Sequence, residues 1–72
     1  MSNHVTQRER DMLWQYAYTR VRINDKGEMT SDKNALVADI QTRFGVSHER
    51  ALGAVSKARM KQFARLVKAR GG

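Results

Sequence analysis

Gly45 separates two runs of apolar residues that each recur at helical spacing, and this arrangement restricts the chain to a helix, a sharp turn and a second helix. The apolar residues before the glycine fall at i, i+1, i+4 and i+8, the spacing of one helix face: Leu36, Val37, Ile40 and Phe44. Glycine readily adopts the left-handed conformation that ends many helices, and Ser47 is a favoured N-cap for the next helix. The sequence therefore predicts helices over residues 32–44 and 48–69, joined by a three-residue turn.

A third helix is predicted at the N-terminus, over residues 6–21. Thr6 and Glu9 match the capping box T-x-x-E that opens many helices. Apolar and aromatic side chains cover a wider arc of this helix than a surface helix usually shows: Met12, Leu13, Trp14, Tyr16, Ala17, Tyr18 and Val21. Either the helix lies centrally among the others, or part of it contacts a second chain. Trp14 and Tyr18, at i and i+4 on one edge of the arc, are the predicted interface residues of a homodimer.

The segment between the first two helices contains a strong turn signal, Asn24 to Gly27. Its flanks are long enough for a short two-stranded ribbon or for an irregular loop. Two such strands would be marginally stable alone, so we favour the loop. Ser31 is the predicted N-cap of the second helix, with Asp32 in the first turn, where the helix dipole favours an anion.

Length and composition favour one small all-α domain of three helices over residues 1–72. Proline is absent, and strong helix formers are plentiful. With no cysteine and two histidines, a disulfide framework or a metal site is not expected, and no cofactor is predicted. No apolar run reaches the length of a membrane span and no secretory signal is visible, so we expect a cytoplasmic protein without membrane contact.

The net charge of +7 is concentrated in the last third of the chain. Residues 1–46 carry seven basic and six acidic side chains, whereas residues 47–72 carry seven basic side chains and one acid, Glu49. This asymmetry indicates an anionic partner for the C-terminal segment: nucleic acid first, then an acidic protein or a membrane surface. A solvated helix face without a partner is the alternative.

Five cations of the third helix fall within an arc of about 80° when residues are placed at 100° steps: Arg50, Lys57, Lys61, Arg65 and Lys68. We call this set the basic stripe. The core face is expected opposite the stripe: Ala51, Leu52, Val55, Ala58, Phe63 and Leu66. Five charges along about 27 Å of helix suit a phosphate backbone. Like charges at i and i+4 repel each other mildly, and this cost suggests that the cations bind an external anion.

The stretch IQTRFGVSHERALGAV, Ile40 to Val55, resembles the helix-turn-helix of small DNA-binding regulators. The resemblance is carried by the glycine of the turn and by small or apolar residues at the offsets where the two helices cross: Ile40, Phe44, Val46, Ala51 and Ala54. A plain helical hairpin is the alternative for this segment.

The resemblance implies that the start of the third helix is a recognition helix that enters the major groove. It assigns five residues to the side that faces DNA: Ser47, His48, Glu49, Gly53 and Ser56. Combined with the basic stripe, the predicted DNA-contacting residues are Ser47, His48, Arg50, Lys57, Lys61, Arg65 and Lys68.

The sequence indicates a binding protein rather than an enzyme. Its acidic residues are scattered, and no glycine-rich phosphate loop follows a strand. The first hypothesis is a small protein that binds double-stranded DNA, a transcriptional regulator similar to those of phages and plasmids. The alternative is a small adaptor or inhibitor that binds a protein partner through the first helix and the basic face of the third.

Overall fold

The computed structural model describes residues 7–71, which form three helices: α1 (Gln7–Tyr18), α2 (Lys33–Phe44) and α3 (His48–Ala69). This confirms the all-α fold class. The bounds of α2 and α3 lie within one residue of those predicted, and Thr6, the first residue of the predicted capping box, lies outside the described residues. Among residues 7–71, no helix combines the length and the apolarity needed to cross a membrane.

The turn between α2 and α3 has the predicted chemistry. Gly45 adopts the left-handed conformation (φ 65°, ψ 34°), and its N–H donates to the carbonyl of Gln41 at 2.9 Å. Ser47 caps α3, since its hydroxyl accepts a hydrogen bond from the backbone N–H of Arg50 at 3.2 Å. A left-handed residue and an N-cap two positions apart reverse the chain direction within three residues.

The predicted N-cap of α2 is wrong by one residue. Asp32, not Ser31, occupies the cap, and its carboxylate accepts a hydrogen bond from the N–H of Ala35 at 3.1 Å. The hydroxyl of Ser31 accepts instead from the N–H of Arg22 at 3.2 Å. Both residue types cap helices well, and the contact with Arg22 holds Ser31 in the preceding loop.

Helix α1 ends at Tyr18, three residues earlier than predicted, and a side chain of α3 lies at that end. The amide of Gln62 donates to the backbone carbonyls of both Tyr18 and Val21, each at 2.7 Å. Val21 is completely buried and turns the chain into the following loop. The last carbonyls of a helix lack partners within it, so this amide satisfies the carbonyl of Tyr18 that α1 leaves free and links it to Val21 in the next segment.

Residues 22–30 form an irregular loop without a strand, as favoured above, in which one isolated antiparallel bridge joins Ile23 and Met29. It rests on α3. Arg59 donates to the carbonyl of Gly27 at 3.1 Å, and the ring of Phe63 lies so close to Gly27 that a Cβ there would be 2.7 Å from a ring carbon. Gly27 has φ 83°, a conformation that favours glycine.

The core lies where α3 packs along both α1 and α2, which touch each other much less. Its fully or nearly buried members are Leu13, Ala17, Val21, Leu36, Val37, Ile40, Ala51, Ala54, Val55 and Ala58. The predicted core face of α3 is therefore partly wrong: Leu52 and Leu66 are only half-buried, and Phe63 keeps 38% of its surface exposed. Phe63 covers the loop at Gly27 instead of entering the core.

Candidate nucleic-acid interface

The basic stripe lies beside the core face of α3 and along α1, not opposite the core as expected. The buried residues Ala51, Ala54, Val55 and Ala58 mark the core face. At 100° per residue, the centre of the stripe lies about 80° from the centre of that face. The helical periodicity predicted which cations form the stripe. The position of the stripe relative to the core depends on which side of α3 packs against α1, and periodicity does not determine that side.

Trp14 of α1 brings two lysines of the stripe together. The ammonium of Lys61 lies 4.5 Å from the centre of the indole ring, and that of Lys57 lies 5.7 Å from it. A cation at this distance from an indole ring is attracted by the negative charge of its face. Lys57 and Lys61 remain exposed, so their charges stay accessible while Trp14 restricts where they point.

Asp11 lies in the same cluster, although it was not predicted as a site residue. Its carboxylate accepts a hydrogen bond from the indole N–H of Trp14 at 3.0 Å. This bond, a second one from Gln7, and the nearby charges of Lys57 and Lys61 lower the pKa of Asp11 below its usual value. Asp11 is therefore an acidic neighbour of Lys57 and Lys61.

Tyr18 extends the cluster towards the C-terminal half of α3. Its ring packs edge-on against Trp14, with the ring centres 6.1 Å apart. Arg65 donates to the Tyr18 hydroxyl at 3.2 Å, and this hydrogen bond raises the pKa of Arg65 above its usual value. Trp14 and Tyr18, predicted as interface residues, are thus half-buried and in contact with the basic stripe.

The remaining stripe residues flank this cluster. Arg50 is half-buried and lines a shallow groove together with Arg10, Trp14 and Lys57. Lys68 is exposed near the end of α3. Arg10 was not predicted, because nothing in the spacing of α1 shows that one of its cations adjoins α3. The residues of the basic stripe that contact aromatic side chains of α1 are therefore Lys57, Lys61 and Arg65, and all three are exposed.

The residues assigned by the resemblance lie at the other end of α3. Ser47 and His48 are exposed at its start, and Glu49 and Gly53 are exposed along its outer side, whereas Ser56 is half-buried. His48 lies about 14 Å along the helix axis from Lys57. The two predicted sets meet at one groove, where Gly53 lies with Arg50 and Lys57. Ser47 and His48 lie apart from the stripe residues that contact α1.

The wide apolar arc of α1 is covered from two sides within the chain. Trp14 and Tyr18 face α3, while Tyr16 packs edge-on against Phe44 of α2, with ring centres 5.2 Å apart. The Tyr16 hydroxyl also donates to Asp39 of α2 at 2.5 Å. Met12, by contrast, keeps 52% of its surface exposed. Much of the arc is thus covered within the chain, by α3 on one side and by Phe44 of α2 on the other.

Within residues 7–71, no three histidine or acidic side chains are arranged to hold a metal ion. Comparisons of the chain with protein-family models, with curated proteins and with solved structures found no match.

Proposed function

We propose that this chain binds double-stranded DNA through phosphate contacts of the basic stripe. The observation that carries the proposal is the exposure of Lys57, Lys61, Arg65 and Lys68 along one side of α3. These four cations extend over about 16 Å of helix axis. Lysine and arginine side chains that replace the counterions of phosphates supply most of the affinity of non-specific DNA binding.

The contacts with α1 support this proposal because they order the cations before DNA arrives. A free lysine or arginine side chain loses up to about 2 kcal/mol of conformational free energy when it is fixed. Trp14 already restricts Lys57 and Lys61, and Tyr18 restricts Arg65. Part of the conformational free energy needed to fix these side chains is therefore already lost when the chain folds, and it does not weaken DNA binding.

We further propose that α2, the turn at Gly45 and α3 act as a helix-turn-helix of a transcriptional regulator. Ser47 and His48, exposed at the start of α3, would then approach the major groove while the basic stripe follows the backbone. A homodimer formed through the edges of Trp14 and Tyr18 would supply two such helices for two half-sites. Because Glu49 and Gly53 offer no bidentate contact to purines, we expect weak sequence selectivity.

The test is a titration of random-sequence duplex DNA at several salt concentrations with the wild type and with Lys57→Gln/Lys61→Gln/Arg65→Gln. We expect the triple variant to bind more weakly. Its plot of log affinity against log salt should be shallower by about 0.9 for each phosphate that the variant no longer neutralises.

A matched control removes three positive charges elsewhere, with Lys26→Gln/Lys33→Gln/Arg43→Gln, all at exposed positions on the loop and α2. The control should keep the wild-type salt slope, because it changes the net charge equally but leaves the basic stripe intact. If both triple variants lose affinity to the same extent, net charge alone accounts for binding and the stripe is not the contact.

A further inference from the structure

The face of α3 that points away from the core carries apolar and small residues at a seven-residue repeat. Its members fall at i, i+3, i+7, i+10 and i+14, the a and d positions of a heptad: Gly53, Ser56, Met60, Phe63 and Val67. We call this set the outer face. Met60 is 66% exposed and Phe63 38% exposed, Gly53 is exposed, and Val67 is half-buried. The buried residues that pack against α1 and α2 lie on the opposite side of α3, and the loop at Gly27 covers part of Phe63.

Cations flank the outer face on both sides. Lys57, Lys61 and Lys68 lie along one edge, and the other edge carries Arg59 and Arg70, which also donate to carbonyls of the loop. No acidic residue follows Glu49 in the sequence. An apolar strip between two positive edges is complementary to an apolar strip between two negative ones.

We propose that the outer face is a docking surface for an acidic amphipathic helix of a protein partner. The heptad spacing favours a helix, because knobs at a and d positions fit the holes of a facing helix. Gly53 at one end of the face, together with Ala64 beside Met60, lets a second backbone approach closely. The face is about 21 Å long, which matches about four turns of a partner helix. Acidic residues flanking the partner's apolar strip would pair with the lysines and arginines at the edges.

Other occupants fit this face less well. A second copy of the chain would bring its own cations against those of the first, which disfavours pairing through α3. A phosphate backbone would be attracted by the edges but would gain nothing from Met60 and Val67, which offer no hydrogen bond. The outer face and the basic stripe share Lys57, Lys61 and Lys68 at one edge. Met60 and Val67 lie outside the stripe, so changing them tests the outer face while leaving those cations in place.

The proposal can be tested with synthetic helical peptides as probes. The first peptide carries leucines at a and d and glutamates at the flanking e and g positions, and a second peptide has the same composition in scrambled order. Binding of each labelled peptide to the full chain is measured by fluorescence anisotropy at several salt concentrations. We expect the patterned peptide to bind and the scrambled one to bind at least about tenfold more weakly.

Three variants locate the site. Met60→Gln/Val67→Gln should weaken binding of the patterned peptide by about tenfold, because both substitutions remove apolar contacts and Met60 lies at the middle of the face. Met60→Gln alone should act in the same direction, and it alters a side chain that is already two-thirds exposed, so the fold is retained. Met12→Gln, a matched change at an exposed methionine of α1, should leave binding unchanged.

Several outcomes would overturn the proposal. Equal binding of the patterned and scrambled peptides would mean that charge alone attracts them. Wild-type peptide affinity in Met60→Gln/Val67→Gln would remove the outer face as the site. If that variant instead lost self-association in sedimentation, binding to phosphatidylserine vesicles, or affinity for duplex DNA, the face would belong to a second copy, a membrane or DNA respectively. The proposal stands independently of DNA binding, since it predicts that this variant keeps the wild-type DNA affinity.

Discussion

Two glycines in left-handed conformations differ in what surrounds them. Gly45 has open space where a side chain would project, with no atom within 4 Å of the position that a Cβ would take, whereas Gly27 lies beneath the ring of Phe63. A substitution at Gly45 therefore introduces backbone strain alone. The same substitution at Gly27 adds a steric conflict with Phe63.

We expect Gly45→Ala to reduce the free energy of unfolding by about 1–2 kcal/mol, the cost of a left-handed backbone for a residue with a Cβ. Gly27→Ala should cost at least about 1 kcal/mol more, because overpacking adds to strain. In a Phe63→Ala background the extra cost at Gly27 should shrink, while the cost at Gly45 should not change. Urea unfolding of the single and double variants measures these differences, and a Phe63→Ala background that leaves the gap intact would exclude the ring as its cause.

Asp11 gives a pH dependence with a defined sign. Because its pKa is lower in the folded chain than in the unfolded chain, its ionised form stabilises the fold, chiefly through the hydrogen bond from Trp14. That contribution is fully present above the unfolded value of 3.8 and is lost as the pH falls through the lower, folded value.

The wild type should therefore melt at a higher temperature than Asp11→Asn, and this difference should be largest at neutral pH. The gap should narrow progressively below about pH 4. Thermal melts of both proteins at constant ionic strength, from neutral pH to about pH 2, measure it. A gap of constant size over this range would show that ionisation of Asp11 does not matter to folding.

At the scale of the helices, Gln62 joins α3 to the end of α1. Replacing it with alanine removes both hydrogen bonds to the carbonyls of Tyr18 and Val21. We expect Gln62→Ala to lower the free energy of unfolding by about 1–3 kcal/mol, because two partly buried hydrogen bonds are lost, although the carbonyl of Val21 keeps a second donor, the guanidinium of Arg22. Gln15→Ala, at an exposed position of α1, is the matched control and should cost much less. Equal losses in the two variants would contradict this role of Gln62.

The local features of the helices could be read from the sequence, whereas contacts between helices could not. Gly45 and Ser47 act on their own backbone, so their roles and the bounds of α2 and α3 were predictable. Asp32 and Ser31 are both good caps, and only the distant contact of Ser31 with Arg22 distinguishes them. Nothing in the pattern of α3 says which side packs against α1.

The candidate site was predictable to the same extent. The cations of the basic stripe follow from periodicity; Lys57, Lys61, Arg65 and Lys68 are exposed, whereas Arg50 is half-buried. Their contacts with Trp14 and Tyr18 join residues more than forty positions apart, and no spacing rule relates such residues. The DNA-binding role itself stays a prediction.

At the scale of the whole molecule, the exposed edges of the Trp14 and Tyr18 rings predict the oligomeric state. Both residues are half-buried and line an open groove with Gln15, Thr19 and Ala64, so part of each ring can contact another chain. We expect the wild type to sediment as a dimer at tens of micromolar or below, and Trp14→Ala/Tyr18→Ser to sediment as a monomer with weaker DNA affinity. A monomeric wild type, with DNA affinity unchanged by the double substitution, would refute the dimeric regulator.

Trp14 also supplies an optical signal, because it is the single tryptophan of the chain. If phosphates bind Lys57 and Lys61, negative charge is placed close to the indole ring that these ammonium groups contact. We expect duplex DNA to change the tryptophan fluorescence of the wild type, with a midpoint equal to that of the binding titration. The triple glutamine variant of the stripe should give no such change. A wild-type fluorescence that is insensitive to saturating DNA would place the contact elsewhere.

Because α3 supplies most of the contacts between helices, it determines when the chain can fold during translation. Helices α1 and α2 contact each other little, and each depends on α3 for its buried partners. During translation α1 and α2 emerge first, yet neither can bury its apolar side chains until the segment after Ser47 has been made. Isolated helices of twelve residues are marginal in water, so the nascent chain stays unfolded until then. The three helices can therefore fold together only after α3 has left the ribosome.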